Sequence, residues 1–162
     1  DEWIDESWTQ KRPWAELKSE LVGWHPDIQT IVDTVDRDEC YRWAINVHPH
    51  LESWHTRRAV LLGDAAHPTL PYLAQGAAMA VEDAAVLSRA LGARRSVADA
   101  LRLYQNARMA RTRRIVDESR DNRKLFHLKS VDELRAAFAR RNMDRERSNW
   151  LYNYNPLEVP LE

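Results

Sequence analysis

Two kinds of apolar spacing divide the chain. After Pro13, the residues Trp14, Leu17 and Leu21 recur three or four apart. Pro13 suits a first helical turn and Gly23 a helix end, which predicts a helix to about Val22. His25-Pro26-Asp27 reads as a turn, and Ile28, Ile31, Val32 and Val35 then predict a second short helix. Cys40 to Val47 carries the aromatic and β-branched residues of a strand, broken by His48-Pro49-His50. Ala59-Val60-Leu61-Leu62-Gly63 is apolar without alternation, as in a strand covered on both faces. Residues 1–9 suit a short strand anchored by Trp3 and Trp8. Beyond Gly76 the spacing is helical. One helix is expected from Ala77 to about Leu91, with Gly92 as its cap. Ser96 with Asp99 opens a second, to about Arg123, and Ser130 with Glu133 a third, to about Arg147. The tail from Trp150 to Leu157 reads as extended and rich in turn formers.

This order gives an α/β (α+β) fold class and three segments: 1–56, 57–95 and 96–162. It suits the later part of a larger protein, because a few strands without neighbours leave an open sheet edge. The opening Asp1-Glu2-Trp3 has no methionine and no signal-peptide pattern, so the chain reads as one cut into mid-domain.

Composition narrows the classes. A 162-residue chain with 44% hydrophobic residues can build a core. The 24 basic and 25 acidic residues leave a net charge of −1, which gives no overall bias toward nucleic acid or an anionic membrane. No apolar run is long enough for a membrane span. The single cysteine, Cys40, excludes an internal disulfide and a multi-cysteine metal site, and fits a reducing, cytoplasmic compartment. Only Gly23, Gly63, Gly76 and Gly92 occur, and none are spaced as a Gly-x-Gly-x-x-Gly phosphate turn.

Candidate chemistry concentrates in residues 59–83. Asp64 directly follows the apolar run, where ligands of open α/β sheets bind. Its carboxylate can accept hydrogen bonds from sugar or ribityl hydroxyls. Ala65 and Ala66 let a ligand approach the backbone, and Pro68 and Pro71 stiffen the loop. Gly76 opens a helix whose first amides, at Ala77 and Ala78, are free to face negative charge. Glu82 and Asp83 lie at the next turn, where acids favour helix initiation. Each feature alone also occurs in ordinary turns and packed helices; their ordered combination is the signal.

The run Gly63-Asp64-Ala65-Ala66-His67, followed by Pro71, Gly76 and Glu82-Asp83, resembles the second flavin-binding motif of group A flavoprotein monooxygenases. Within them it is most similar to the salicylate hydroxylase and 6-hydroxynicotinate 3-monooxygenase branch. The resemblance is dense over residues 59–91, and the tail Trp150-Leu-Tyr-Asn-Tyr-Asn-Pro-Leu is also similar. It implies the C-terminal part of an FAD-binding Rossmann-like fold, with a remnant of the substrate-binding sheet (1–56), the second FAD motif (57–95) and terminal helices (96–162). It implies that Gly63 and Asp64 lie at the ribityl or pyrophosphate region and Pro71 beside the flavin ring. Gly76, Ala77 and Ala78 would meet the pyrimidine end, and His67 would act in the loop, by bracing it or in catalysis. One departure is Ala74-Gln75-Gly76, where Gly-Gln-Gly is usual. The implied reaction is aromatic hydroxylation: NADH or NADPH reduces FAD, the reduced flavin captures O2, and a small phenolic substrate receives one oxygen. The adenosine diphosphate half of the site would belong to a missing N-terminal half of the enzyme.

Several residues stay open. His48, His50 and His55 lack an accompanying acidic ligand pattern, so no metal is expected, although His48 or His50 can reach a substrate. Arg108, Arg111, Arg113 and Arg114 form a basic helix face, read either as a solvated surface balanced by Asp117, Glu118 and Asp121 or as an anion-binding patch. The competing functions are an epoxidase, halogenase or reductase of the same flavin fold, or a helical interaction module built on that arginine face.

Overall fold

A computed structural model describes residue 7, residues 9–140 and residues 145–162. Six α-helices form among them: α1 (Trp14–Glu20), α2 (Pro26–Asp33), α3 (Gly76–Ala93), α4 (Val97–Phe126), α5 (Val131–Arg140) and α6 (Arg145–Tyr152). Two short 3-10 turns, Gly63–Ala65 and Pro71–Leu73, precede α3. The chain divides into two compact units, Asp1–Asn46 and Val47–Glu162.

In the first unit α1 and α2 are tied by polar bonds. The Trp14 indole donates to the Val32 carbonyl (2.9 Å), and the Lys18 ammonium reaches Asp33 (2.8 Å). The Arg37 guanidinium sits 4.2 Å from the Trp14 ring centre. His25 caps α2 by accepting from the Asp27 amide, and Pro26 takes the first helical position. Gly23 closes the turn after α1 with φ +84°, a conformation that favours glycine.

The second unit is built on α3 and α4. Ser96 caps α4, accepting from the Asp99 amide. Leu101, Leu103, Tyr104, Ile115 and Val116 of α4 are buried, as are Met79, Val86 and Ala90 of α3. One cluster joins Trp54, Ala66, Val86, Ala90, Leu103 and Tyr104; another joins Met79, Ile115, Val116 and Leu151.

Several sequence expectations are corrected. The remnant of a sheet is absent among the described residues. Only two isolated antiparallel bridges form, Lys11 with Tyr41 and His55 with Val60. Leu62 has extended dihedrals (φ −140°, ψ 147°), but the 59–63 run has no neighbouring strand to build a ladder. An extended segment becomes a strand only through its partner. The short strand expected over residues 1–9 lies largely outside the described residues. Gly92 is not a cap: α3 runs through it to Ala93 and stops at Arg94. The third late helix is described as α5 through Arg140, and helix resumes in the described residues at Arg145 as α6; the part of the expected helix over residues 141–144 lies outside the described residues. The tail is therefore helical, not extended, through Tyr152.

Candidate cofactor-binding site

The 59–83 stretch folds into two tight turns ahead of α3. Gly63 begins the first with φ +61°, and a Cβ there would lie 3.2 Å from the Ala80 Cβ. Both the left-handed backbone and the close approach to α3 require glycine. Asp64 and Ala65 are exposed, whereas Ala66 and His67 face inward. Pro71 starts the second turn and is exposed. Ala74 then turns the chain with φ +52° and ψ +35°, the left-handed region. This is the position where the resembling family has glycine, so the alanine carries a backbone strain of about 1–2 kcal/mol.

Gln75 leads into α3, and Gly76, Ala77 and Ala78 form its first turn. Ala77 and Ala78 are exposed, and first-turn amides have no partner within a helix. A Cβ on Gly76 would stand 3.5 Å from the Thr69 Cγ2 and 4.0 Å from Asp64 Oδ1. An exposed carboxylate and the positive end of an 18-residue helix are thus adjacent across a glycine.

Beneath this surface lies a buried ionic network, with Asp83 at its centre. Asp83 Oδ2 accepts from the Gly63 amide (3.0 Å) and from His67 Nε2 (2.6 Å). Its Oδ1 accepts from Arg108 Nε (2.7 Å). Arg108 Nη2 also pairs with Glu82 at 2.7 Å. Arg111 grips both Glu82 oxygens, at 2.9 and 2.7 Å, and donates to the carbonyls of Trp150 and Leu151. Burial pushes the Asp83 carboxyl up, but the bonds from His67 and Arg108 and the charge of Arg108 outweigh it. The group is held below the usual carboxylate range. Burial likewise opposes the Arg108 charge, and Asp83 overcomes it, so Arg108 stays charged. The Tyr104 hydroxyl is pushed up, first by burial and then by the negative Asp83.

Since Asp83 is ionised and only accepts, His67 must carry its proton on Nε2. His67 is buried against Trp54, with ring centres 5.3 Å apart, and its side chain joins the Gly63–Ala65 turn to α3. The Glu82-Asp83 pair also departs from expectation. Asp83 is fully buried in the body of α3 and organises the turn below it, instead of promoting helix initiation.

Neither reading of the arginine face survives intact. Arg108 is fully buried, Arg111 is committed to Glu82 and the tail, and Arg113 donates to the Leu51 carbonyl (2.7 Å). Of the four, Arg114 pairs at the surface, with Glu118 (3.0 Å). Arg111 and Arg114 also lie under aromatic rings of the tail, 3.8 Å from Tyr154 and 3.7 Å from Trp150 respectively. Arg108, Arg111 and Arg113 of the basic stripe are committed to bonds within the second unit, and Arg114 is paired with Glu118, which removes the main support for an interaction module.

Residues missed in the sequence are Ser119 and Asn122, which reach the second turn from α4. Their signal was polar side chains at helical spacing in line with apolar ones: Tyr104, Arg108, Thr112, Ile115, Ser119 and Asn122. His50 Nε2 meets Asp117 (2.8 Å), while the rings of His48 and His55 contact backbone carbonyls. Among the described residues no three His, Cys, Asp or Glu side chains gather as a metal-binding group. None of the described helices is long and apolar enough to cross a membrane. A cavity of about 330 Å³ within the first unit, bordered by Arg12, Leu17, Val35 and Cys40, includes no residue of the 59–83 stretch.

Comparison with known proteins gives the family. The model of the family described as FAD binding domain matches residues 4–119. The chain is 34% identical to 6-hydroxynicotinate 3-monooxygenase of Bordetella bronchiseptica, over 97% of its own length and 38% of the relative's. It is 37% identical to 3-hydroxybenzoate 6-hydroxylase of Polaromonas naphthalenivorans, covering 86% of this chain and 36% of that one. The chain thus spans little more than a third of these relatives. Among solved structures, Klebsiella pneumoniae HpxO complexed with FAD and uric acid superposes with a TM-score of 0.71 at 29% identity, over 96% of this chain and 41% of that one. A salicylate hydroxylase substrate complex shares the fold, with a TM-score of 0.74 at 23% identity over 96% of this chain and 39% of that one. With the family match extending over most of its length and through the Asp64 turn and the start of α3, the chain belongs to the FAD binding domain family.

Proposed function

We propose that this chain supplies the flavin-facing motif and terminal helices of an FAD-dependent monooxygenase. Its reaction is hydroxylation of a small phenolic or hydroxy-carboxylate aromatic with NADH or NADPH and O2. The observation that carries this is the adjacency of the exposed Asp64 carboxylate and the first turn of α3, with only a glycine between them. The donor set suits FAD. Asp64 offers an acceptor for ribityl hydroxyls, and the Ala77 and Ala78 amides offer donors for the electron-rich pyrimidine edge. Gly63 and Gly76 keep side chains out of the approach, and exposed Pro71 borders the ring. FAD, when bound, takes up hydride and activates oxygen. The protein's own residues hold and orient the flavin, and His67 acts as a brace through Asp83 rather than as a proton carrier.

In this reading residues 1–56 end the substrate-binding region, 57–95 form the second FAD motif and 96–162 fasten it. The four glycines form no dinucleotide phosphate turn, so the adenosine diphosphate end of FAD is held by residues outside these 162. NAD(P)H dependence and a single cysteine suit a cytoplasmic enzyme. Support comes from the family match and the names of the relatives.

Titration of the chain with FAD, followed by flavin fluorescence, tests the assignment. Weak saturable quenching without NADH oxidation is expected, weakened about tenfold or more in Asp64→Ala, equivalent to one charge-assisted hydrogen bond. Identical titrations of the two proteins would remove Asp64 from the site. Tight stoichiometric binding with turnover would refute the division of FAD between this chain and other residues.

A further inference from the structure

The second turn is held from an element distant in sequence. Ser119 Oγ donates to the Leu70 carbonyl (2.6 Å), and Asn122 Nδ2 donates to the Tyr72 carbonyl (3.0 Å). These two carbonyls flank Pro71, the exposed residue assigned to the flavin ring. Ser119 is fully buried and Asn122 nearly so. They lie three residues apart on α4, so both project from one face onto the turn, at carbonyls two residues apart. The Asn122 amide has a fixed orientation: turning it over would set its carbonyl against that of Tyr72. Its Oδ1 has no protein partner, so the bond to Tyr72 is the side chain's polar tie to the protein.

The turn is secured at other points as well. The Ala74 amide donates to the Pro71 carbonyl (3.0 Å), closing the 3-10 turn. The Tyr72 ring packs on Phe126 and His127 at the end of α4, with centres 5.9 and 6.1 Å apart. Proline has no amide hydrogen and cannot donate to anchor itself. The carbonyls on either side are therefore the handles by which its position can be set.

We infer that Ser119 and Asn122 are positioning residues that fix the Pro71 turn, and through it the face offered to the flavin ring. The second clause rests on the flavin assignment above; the first does not. The two are tested separately. Backbone amide exchange at residues 72–74 is recorded without FAD in the wild-type chain and in Ser119→Ala, Asn122→Asp and Ser119→Thr. The FAD titration of the wild-type chain reports independently on the cofactor.

Removing either donor is expected to accelerate exchange at Leu73 and Ala74 about tenfold, with much smaller change at amides in the middle of α3. Ser119→Thr keeps the hydroxyl and is expected to retain wild-type exchange at these amides even if its extra methyl lowers the melting temperature. The local exchange, not the melting temperature, is the deciding readout. Unchanged exchange in both donor-removing variants would overturn the inference. So would acceleration of equal size throughout α3 and α4, which would show general destabilisation. Acceleration in Ser119→Thr equal to that in Ser119→Ala would show that the hydroxyl does not matter, and would overturn it too.

Discussion

The units 1–46 and 47–162 use the same kinds of residue to different ends. Among the described residues of the first, Val32 is the one buried hydrophobic, and α1 buries none. Tyr41, Trp43 and Ile45 are exposed despite their size. The second unit contains the other buried hydrophobics and, inside them, the ion pair of Asp83 with Arg108. Helical spacing alone does not distinguish these outcomes. An amphipathic helix is secured when a second apolar face meets it, as α3 and α4 do for each other. In the first unit the ties are mainly polar and sit near the surface, where such ties contribute little.

The sharpest break in this contrast should come from Asp83→Ala. It removes the buried carboxylate bonded to Arg108 Nε, leaving Glu82 as the ion-pair partner of that guanidinium, and it removes the acceptor for His67 and Gly63. A loss of about 3–5 kcal/mol is expected in the second unit. Amide exchange should show it in α3 and α4 while α1 and α2 change little. Equal loss in both units would mean that they unfold as one.

Acid probes the same carboxylate without mutation. Its folded pKa lies below the unfolded value of about 3.9. The unfolded chain therefore binds the proton first as pH falls. The stabilisation is complete well above pH 4 and is lost as pH drops through the lower folded pKa. Thermal melts in this range should show the second unit weakening with acid, and Asp83→Ala should remove part of that slope.

A smaller effect of opposite sign is expected at Ala74. Ala74→Gly relieves the left-handed strain but gives the unfolded chain more freedom, for a net gain of about 0.5–1 kcal/mol. A calorimetric melting temperature checks it, and a decrease would show that the methyl group packs usefully. The least effect is expected at Ile45, which is 58% exposed. Ile45→Ser should change stability by no more than about 0.5 kcal/mol. A larger loss would show that the first unit depends on this extended segment.

Much of the helical structure could be read in advance because its signals are local. Ser96 and Ser130 cap where their hydroxyls can reach amides three residues on, at 3.4 and 3.0 Å. The apolar period likewise marked α2, although Pro26 and Asp27, read as part of a turn, are its first residues. Strands were another matter: residues 59–63 have the composition of one, but their ladder requires a partner that local sequence cannot supply. Gly92 looked like a helix end because glycine often ends helices, yet the α3 backbone continues through it.

The candidate site could be proposed from its surface residues, while the contacts beneath them were hidden. Asp64, Pro71, Gly76, Ala77 and Ala78 could be named from order and residue type, because small residues, prolines and a helix start act over a few positions. Asp83, Arg108, Ser119 and Asn122 could not be assigned in the same way. Their partners lie from 20 to 50 residues away, at Gly63, Asp83, Leu70 and Tyr72. The sequence by itself determined the helices, the turn-forming residues and the chemistry available at the flavin motif, all set by short-range backbone preference. Only the tertiary structure decided that Arg108 and Arg111 would be turned inward as fastening and that Ser119 and Asn122 of α4 would bond the Pro71 turn. The reason is physical: whether a charge is solvated or paired depends on what packs over it, and that is a property of the assembled helices.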